Sequence, residues 1–452
     1  MTAITLAPWR PTHAHLRTSA VGLGGTIAAV LGGRPDLLAL VTPFAAVAIW
    51  SILTRPRVAP SADVHLGPTS IREGETTTWT ASISGGPGTE HVVALVPGQP
   101  HWHFSPRDGV ATGAWHAGHQ NGADVAEPSI SPVDLVVTIR SMRWGRRPVG
   151  PVLIGATSSW GAFRSGPVSA PTRTLSTVPR PATFDTGAAV PRPTGLVGLH
   201  RSPVRGDGTE FAAIRPFVVG DRQRRIHWPV SLRTGVLHVN ATHADRDSDI
   251  TLVIDAGSDI GPSGGIDGPA NSLDLTVRGA GAVAEHFLHR GDRVGLTILG
   301  ASRPARVPAA AGIHHLRRVL DELAGIFVAV RGAVLDERQL GPRSRGLMVL
   351  FSPVMSPDAP SLAVSLIRRH RTVLVVDTLP PDLARTAADG PAAADPSTPA
   401  ALAWRIRQLE RRRELRLVQA AGVPIVAWRG EGSLEHVLRD LARRVSPRPA
   451  RR

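Results

Sequence analysis

The stretch "ITLVIDAG", Ile250–Gly257, decides the architecture of the C-terminal half of this chain. Its apolar residues run almost unbroken from Ile250 to Ile254. That pattern marks a strand buried on both faces, since a half-exposed strand would alternate. Outward from it, elements alternate. "SLDLTVRGAGAVAEHFLHRG" (Ser272–Gly291) predicts a helix that stops at glycine, and "DRVGLTILG" (Asp292–Gly300) a strand. "GIHHLRRVLDELAGI" (Gly312–Ile326) has apolar residues three and four apart and predicts a helix. Then follow a strand (Arg345–Val354), a helix (Ser361–His370) and a strand (Arg371–Leu379). An Arg-rich helix from Ala400 to Ala421, a strand (Val423–Trp428) and a helix (Ser433–Val445) complete the series. Strands alternating with helices imply a doubly wound, mostly parallel α/β sheet covered on both faces. Pro380–Pro399, rich in Pro, Ala and Asp, reads as a flexible insertion.

Upstream, the period changes. "TTTWTASI" (Thr76–Ile83), "HVVALV" (His91–Val96), "VDLVVTIRSM" (Val133–Met142) and "PVLIGATS" (Pro151–Ser158) are short strands between Gly, Pro and Asn turns. They predict a β-sandwich-like domain. Before them stand two uncharged apolar stretches, Thr18–Gly33 and Leu37–Leu53, separated by "RPD". Each is close to the ~20 residues that span a bilayer, and their spacing predicts a transmembrane helical hairpin. Arg10 and Arg17 precede the first and Arg55 and Arg57 follow the second, while the connection holds only Arg34. The positive-inside bias places both termini and the soluble domains on the cytoplasmic side of the plasma membrane.

Composition bounds the rest. With 452 residues the chain holds several domains, and with no Cys it has neither disulfides nor thiolate sites. A net charge of +15 calls for an anionic partner or surface. The arginines are dispersed and aromatics are few, so membrane lipid is expected and nucleic acid is not.

The segment "HRSPVRGDGTEFAAIRPFVVGDRQRRIHWPVSLRTGVLHVN" closely resembles the signature of the family called domain of unknown function 58. The residues that carry the resemblance are Ser202, Gly206, Gly208, Glu210, Phe211, Arg215, Gly220, Asp221, Arg225, Ile226, Trp228, Arg233 and Gly235. His227 stands where members usually carry an acid. The run-in "RWGRRPVGPVLI", "WGAF" and "STVPRP" is also similar. Charged residues interleaved with Phe211, Ile226 and Trp228 read as an ion-pair network at an interdomain joint. A hydrolase using Asp221 and His227, or a basic nucleic-acid or anionic-surface binder, are the alternatives.

The resemblance implies a von Willebrand factor A-like domain, often with Mg²⁺ at the sheet's top on an Asp-x-Ser-x-Ser loop. Here the loop reads Asp255-Ala256-Gly257-Ser258-Asp259. Asp255 survives, both serine positions are lost, and no acid follows the strand ending at Ser352. The expectation is a degenerate metal site and no cofactor. The resemblance further implies non-enzymatic work as a scaffold beside a MoxR-type AAA+ ATPase; because open α/β sheets bind at the carboxyl ends of their strands, the loops Asp255–Asp259 and Ser352–Ser356 are the expected contact surface. The expected domains are a hairpin (1–57), a sandwich (58–181), a joining signature (182–247), an A-like domain (248–446) and a basic tail (447–452).

Overall fold

The computed structural model describes residues 2–115, 132–180, 205–218, 221, 223–243, 249–328, 335, 337–340, 346–369, 372–385 and 398–428. They form two compact units, Met1–Val178 with Gly265–Asp267, and Pro179–Gly264 with Gly268–Arg452.

The N-terminal unit holds two helices, α1 (His13–Leu31) and α2 (Pro35–Leu53), and thirteen strands. These are β1 (Thr2–Thr5), β2 (Arg10–Pro11), β3 (Ser61–Leu66), β4 (Ser70–Arg72), β5 (Thr76–Ser84), β6 (Thr89–Leu95) and β7 (Trp102–Ser105). They continue with β8 (Val110–Ala114), β9 (Val133–Ser141), β10 (Gly145–Val149), β11 (Val152–Ser158), β12 (Phe163–Ala170) and β13 (Arg173–Val178). One five-stranded sheet has the order β1-β3-β5-β9-β7 and the other β2-β12-β11-β6-β8, with a small third sheet β10-β13-β4. Burial alternates with period two, so Trp79 and Ile83 of β5 and Leu135, Val137 and Ile139 of β9 face inward. They share one core with Val92 and Ala94 of β6 and Val152 and Ile154 of β11. A sandwich of sheets was expected from four strands; the structure adds nine more. Short strands with one solvated face carry too little local signal to be read singly.

Residues 2–11 enter the same core. Thr2 pairs with Val64 and Arg10 with Arg164, so the N-terminus edges both large sheets, and Leu6 and Trp9 are buried. No local periodicity announces this, because the pairing is entirely long-range.

α1 and α2 contain 19 residues each, and such a helix is about 28 Å long, close to a bilayer's ~30 Å hydrocarbon core. Among the described helices, α2 alone is both long and apolar enough to cross a membrane. α1 carries His13, His15 and Arg17 in its first turns. The two run antiparallel: His15 meets Ser51, Gly22 lies against Ala45 and Gly25 against Val41. A Cβ on Gly22 would come within 2.8 Å of the Ala45 backbone nitrogen. Small residues thus set the interhelical distance, as they do between helices in lipid. The buried seam His15, Gly22, Ala29 recurs every seven residues, and Leu23, Val30, Leu40 and Ile49 lie exposed around it.

The C-terminal unit contains β14 (Arg205–Pro216), α3 (Trp228–Thr234), β15 (His238–His243), β16 (Asp249–Asp255), α4 (Ser272–His289), β17 (Arg293–Leu299), β18 (Ala305–Ala310) and α5 (Ile313–Ala324). It continues with β19 (Leu347–Ser352), α6 (Asp358–Arg369), β20 (Thr372–Asp377), α7 (Pro381–Arg385), α8 (Pro399–Ala420) and β21 (Ile425–Ala427). β14 and β15 form a two-stranded hairpin. The other six strands form one sheet ordered β18-β17-β16-β19-β20-β21. All its pairings are parallel except that of β18, an antiparallel edge strand absent from the sequence reading. Alternate side chains serve opposite faces. Val253, Leu350 and Val375 pack with Leu362 and Leu366 of α6 and Val418 of α8. Phe351 points the other way, to Gly279 of α4 and Trp428. The doubly wound reading of Ile250–Ile254 therefore holds. α7 gives the expected insertion 380–399 a helical start; residues 386–397, the helix expected at Ser433–Val445 and the basic tail lie outside the described residues.

Gly22→Ala is expected to lower the thermal stability of the detergent-solubilised full chain by about 1–3 kcal/mol through overpacking. Gly24→Ala, where an added Cβ meets nothing within 4 Å, should be neutral or gain up to ~1 kcal/mol of helix propensity. Equal melting of the two variants would show that the helices do not approach closely.

Candidate functional site

In the six-stranded sheet the connections reverse direction between β16 and β19. Open α/β sheets bind ligands in the crevice beyond the carboxyl ends of such a pair of strands. The side chains there are Asp255, closing β16, and Ser352, closing β19. Asp255 is buried, and both carboxylate oxygens are engaged. Ser352 Oγ donates to Oδ2 at 2.6 Å, and the Gly257 N–H donates to Oδ1 at 3.0 Å. Burial pushes the Asp255 carboxyl above the usual carboxylate range; the two hydrogen bonds oppose this, and Asp358 adds to it.

The loop after β19 is backbone-strained. Val354, a β-branched residue, has φ 49°, and its N–H donates to Ser352 Oγ. Two arginines of α8, one turn apart, hold this loop from outside. Arg411 Nε donates to the Pro353 carbonyl at 2.8 Å, and its Nη2 pairs with Asp377 at the end of β20, 2.5 Å away. Arg407 Nε donates to the Met355 carbonyl while its terminal nitrogens pair with Glu414 at 2.8 and 3.1 Å. "LERRRELRL" reads in sequence as a solvated face with Glu–Arg pairs, yet Arg411 is buried. The signal was present in the spacing of Ala401, Gln408, Arg411 and Val418, which share α8's buried stripe.

The implied Mg²⁺ loop can be tested on these contacts. Mg²⁺ needs open oxygen donors in an octahedron. Asp255 offers two occupied oxygens and Ser352 stands where the resemblance implies a second acid, which leaves Ser258 Oγ, buried without a partner, as the one open side-chain oxygen of the three. Among the described residues no cluster of three His, Asp or Glu exists. The donor set does not fit the ion.

The signature segment forms the β14–β15 hairpin with α3 in its connection. Arg215 and Asp221 make a bidentate pair at 2.7 and 2.6 Å, and Asp221 also accepts the Val218 N–H at 2.9 Å. The Arg215 guanidinium, then the Val218 N–H, holds the Asp221 carboxyl below its usual range, and Asp221 in turn raises Arg215. These contacts close the turn after β14. His227 is the N-cap of α3: its Nδ1 accepts the Val230 N–H at 3.3 Å. Arg233 lies in the last turn of α3, and Gly235 ends it at φ 70°, donating its N–H to Ser231. Ile226 bridges Val239. Gly206 and Gly208 lie in β14, where the register shifts between Gly206 and Phe211. Ser202 and Gly220, and the side chains of Glu210 and Phe211, lie outside the described residues. Much of the signature is thus turn and cap chemistry. It also leaves apolar side chains in solvent: Trp228 is 58% exposed, Leu232 80% and Val236 56%.

A doubly wound α/β unit preceded by a signature hairpin is the class of protein these features define. Residues 213–418 match the family described as "Protein of unknown function DUF58", as the signature's resemblance implied. Uncharacterized proteins of Mycobacterium bovis and of Mycobacterium tuberculosis are 30% identical to it over 194 residues, 41% of this chain. The chain covers 60% of the length of each of these relatives.

Two outcomes follow. The folded state holds the Asp255 proton more tightly than the unfolded chain does, so this group's contribution is full below the unfolded value of ~3.9 and is lost as pH rises through the raised folded value. In melts across a pH series, the stability of Asp255→Asn relative to wild type should therefore increase with pH; a constant difference would refute the burial effect. His227→Ala should cost the α3 terminus ~1 kcal/mol, read as roughly fivefold faster exchange of the Val230 amide, while His227→Asp retains protection.

Proposed function

We propose that this chain is a membrane-anchored, non-enzymatic scaffold that works with a MoxR-type AAA+ ATPase in assembling or remodelling other proteins. The observation that carries the reading is the apolar face of the signature hairpin. Trp228 and Leu232 lie one turn apart on α3, and Val236 and Leu237 continue the patch. Contiguous exposed apolar surface of this kind marks a protein-binding site. The sheet order with one antiparallel edge supports assignment as a von Willebrand factor A-like domain, a fold used for protein contacts. The strand-end loops Asp255–Asp259 and Ser352–Ser356 are the second contact surface. Helix α2, with α1 beside it, anchors the chain as a hairpin in the plasma membrane, and the flanking arginines favour a cytoplasmic location for both units.

The hydrolase alternative needs Asp221 and His227 as base and acid. Asp221 is instead paired with Arg215 and His227 caps a helix, which favours the binding reading. The dispersed positive charge suits an anionic lipid surface better than nucleic acid.

Full-length chain co-expressed with a MoxR-type ATPase and purified in detergent should retain the ATPase. Trp228→Ser combined with Leu232→Asp should reduce its recovery ~10-fold or more, as for loss of an interface hot spot, with unchanged melting. Full retention by this double variant would exclude the α3 face. Failure of wild type to retain any ATPase would exclude the partnership.

A further inference from the structure

The loop Ser159–Phe163 joins β11 to β12 at the foot of the helical hairpin. Thr12, the N-cap of α1, donates its N–H to the Ala162 carbonyl at 2.9 Å and its hydroxyl to the Gly161 carbonyl at 2.8 Å. The other leg is tied at the same level. His15 Nδ1 meets Ser51 Oγ of α2 at 3.2 Å, and its ring centroid lies 5.1 Å from that of Phe163. The Arg55 guanidinium, just past α2, sits 5.2 Å over the Phe163 ring. Trp9 Nε1 donates to the Val58 carbonyl at 2.8 Å, joining the chain before α1 to the chain after α2. Both ends of the hairpin are therefore fixed to this one loop.

At the loop's tip Trp160 is 73% exposed with φ 61° and ψ 12°. A left-handed conformation is costly for a bulky residue, and here no burial of the indole offsets it. The chain segments that meet at the loop carry arginines: Arg10 and Arg164, opposite each other in β2 and β12, Arg55 over Phe163, and Arg17 and Arg57 nearby in sequence, all exposed. No Asp or Glu occurs in residues 1–35, 54–62 or 158–180. An exposed indole beside a group of arginines, with Glu90 of the neighbouring β6 paired to His91, at the level where two apolar helices begin and end, has the chemistry of the headgroup layer. Tryptophan favours that depth, and arginines are attracted to an anionic leaflet.

We infer that Trp160 and the arginines beside it seat the sandwich on the membrane surface, with the indole among the headgroups and the guanidinium groups on anionic phospholipid phosphates. The inference rests on the reading that the hairpin enters the membrane. The sandwich is then held against the bilayer by the loop as well as by the helices.

The chain has no cysteine, so single thiols can be placed and labelled in the full-length protein with an environment-sensitive fluorophore. Trp160→Cys, Arg164→Cys, Leu40→Cys and Asp108→Cys would be reconstituted in phosphatidylcholine–phosphatidylglycerol vesicles containing doxyl lipids. Asp108 follows β7, beyond the β8 end of the sheet opposite the loop, and serves as the remote position. Labels at 160 and 164 should be quenched by shallow doxyl groups, that at 40 by deep ones, and that at 108 by neither. Replacing Arg10 and Arg55 by Ser, or omitting phosphatidylglycerol, should weaken quenching at 160 several-fold. Quenching at 40 but not at 160 and 164 overturns the seat and leaves the anchor standing. No quenching at 40 overturns the anchor itself.

Discussion

The central strand Ile250–Ile254 must be covered on both faces, and the C-terminal unit is arranged by that requirement. It is hydrogen-bonded in parallel to β17 on one side and β19 on the other, so each connection must pass over the sheet as a helix. α6 and α8 cover the face of Val253, Leu350 and Val375, while α4 lies on the face of Phe351. The chain reverses direction around this strand, and the reversal leaves a crevice at its carboxyl end. Asp255 stands at that point because the strand ends there.

The crevice is closed by its own residues. Ser352 and Gly257 occupy the Asp255 carboxylate, and Arg411 draws together Pro353 and Asp377. A buried acid held in this way is costly to ionise, and its hydrogen bonds preserve the local arrangement rather than present donors to an ion. The strained backbone at Val354 persists because Arg411 holds Pro353 before it, Arg407 holds Met355 after it and Ser352 accepts its own N–H. In the N-terminal unit the corresponding constraint is the pairing of residues 2–11 with both sheets. It brings the ends of α1 and α2 to the sandwich.

Element types were largely legible where periodicity was strong. The apolar run of β16, the spacing of α5 and the uncharged stretch of α2 each declare their environment through burial on known faces. β18 and the weakly patterned strands of the sandwich were not legible, since edge and half-solvated strands depend on neighbours remote in sequence. In the signature, the resemblance located the segment without its mechanics. Asp221 closes a turn with Arg215, Gly235 takes a left-handed cap, and His227 supplies the N-cap of α3 through Nδ1.

The sequence by itself determined the doubly wound sheet, the apolar helix near the N-terminus and the absence of thiol chemistry. These follow from local composition and period, which burial imposes residue by residue. Only the tertiary structure decided that Arg411 is interior, that Ser352 holds Asp255, that residues 2–11 edge two sheets and that Trp160 stands exposed beside both helix ends. Each of these rests on pairs remote in sequence, such as Arg411 and Pro353, 58 positions apart, and Arg173 and Thr2, 171 apart. Such pairings are selected by packing and hydrogen-bond geometry in three dimensions, to which the order of side chains along a strand or helix is blind.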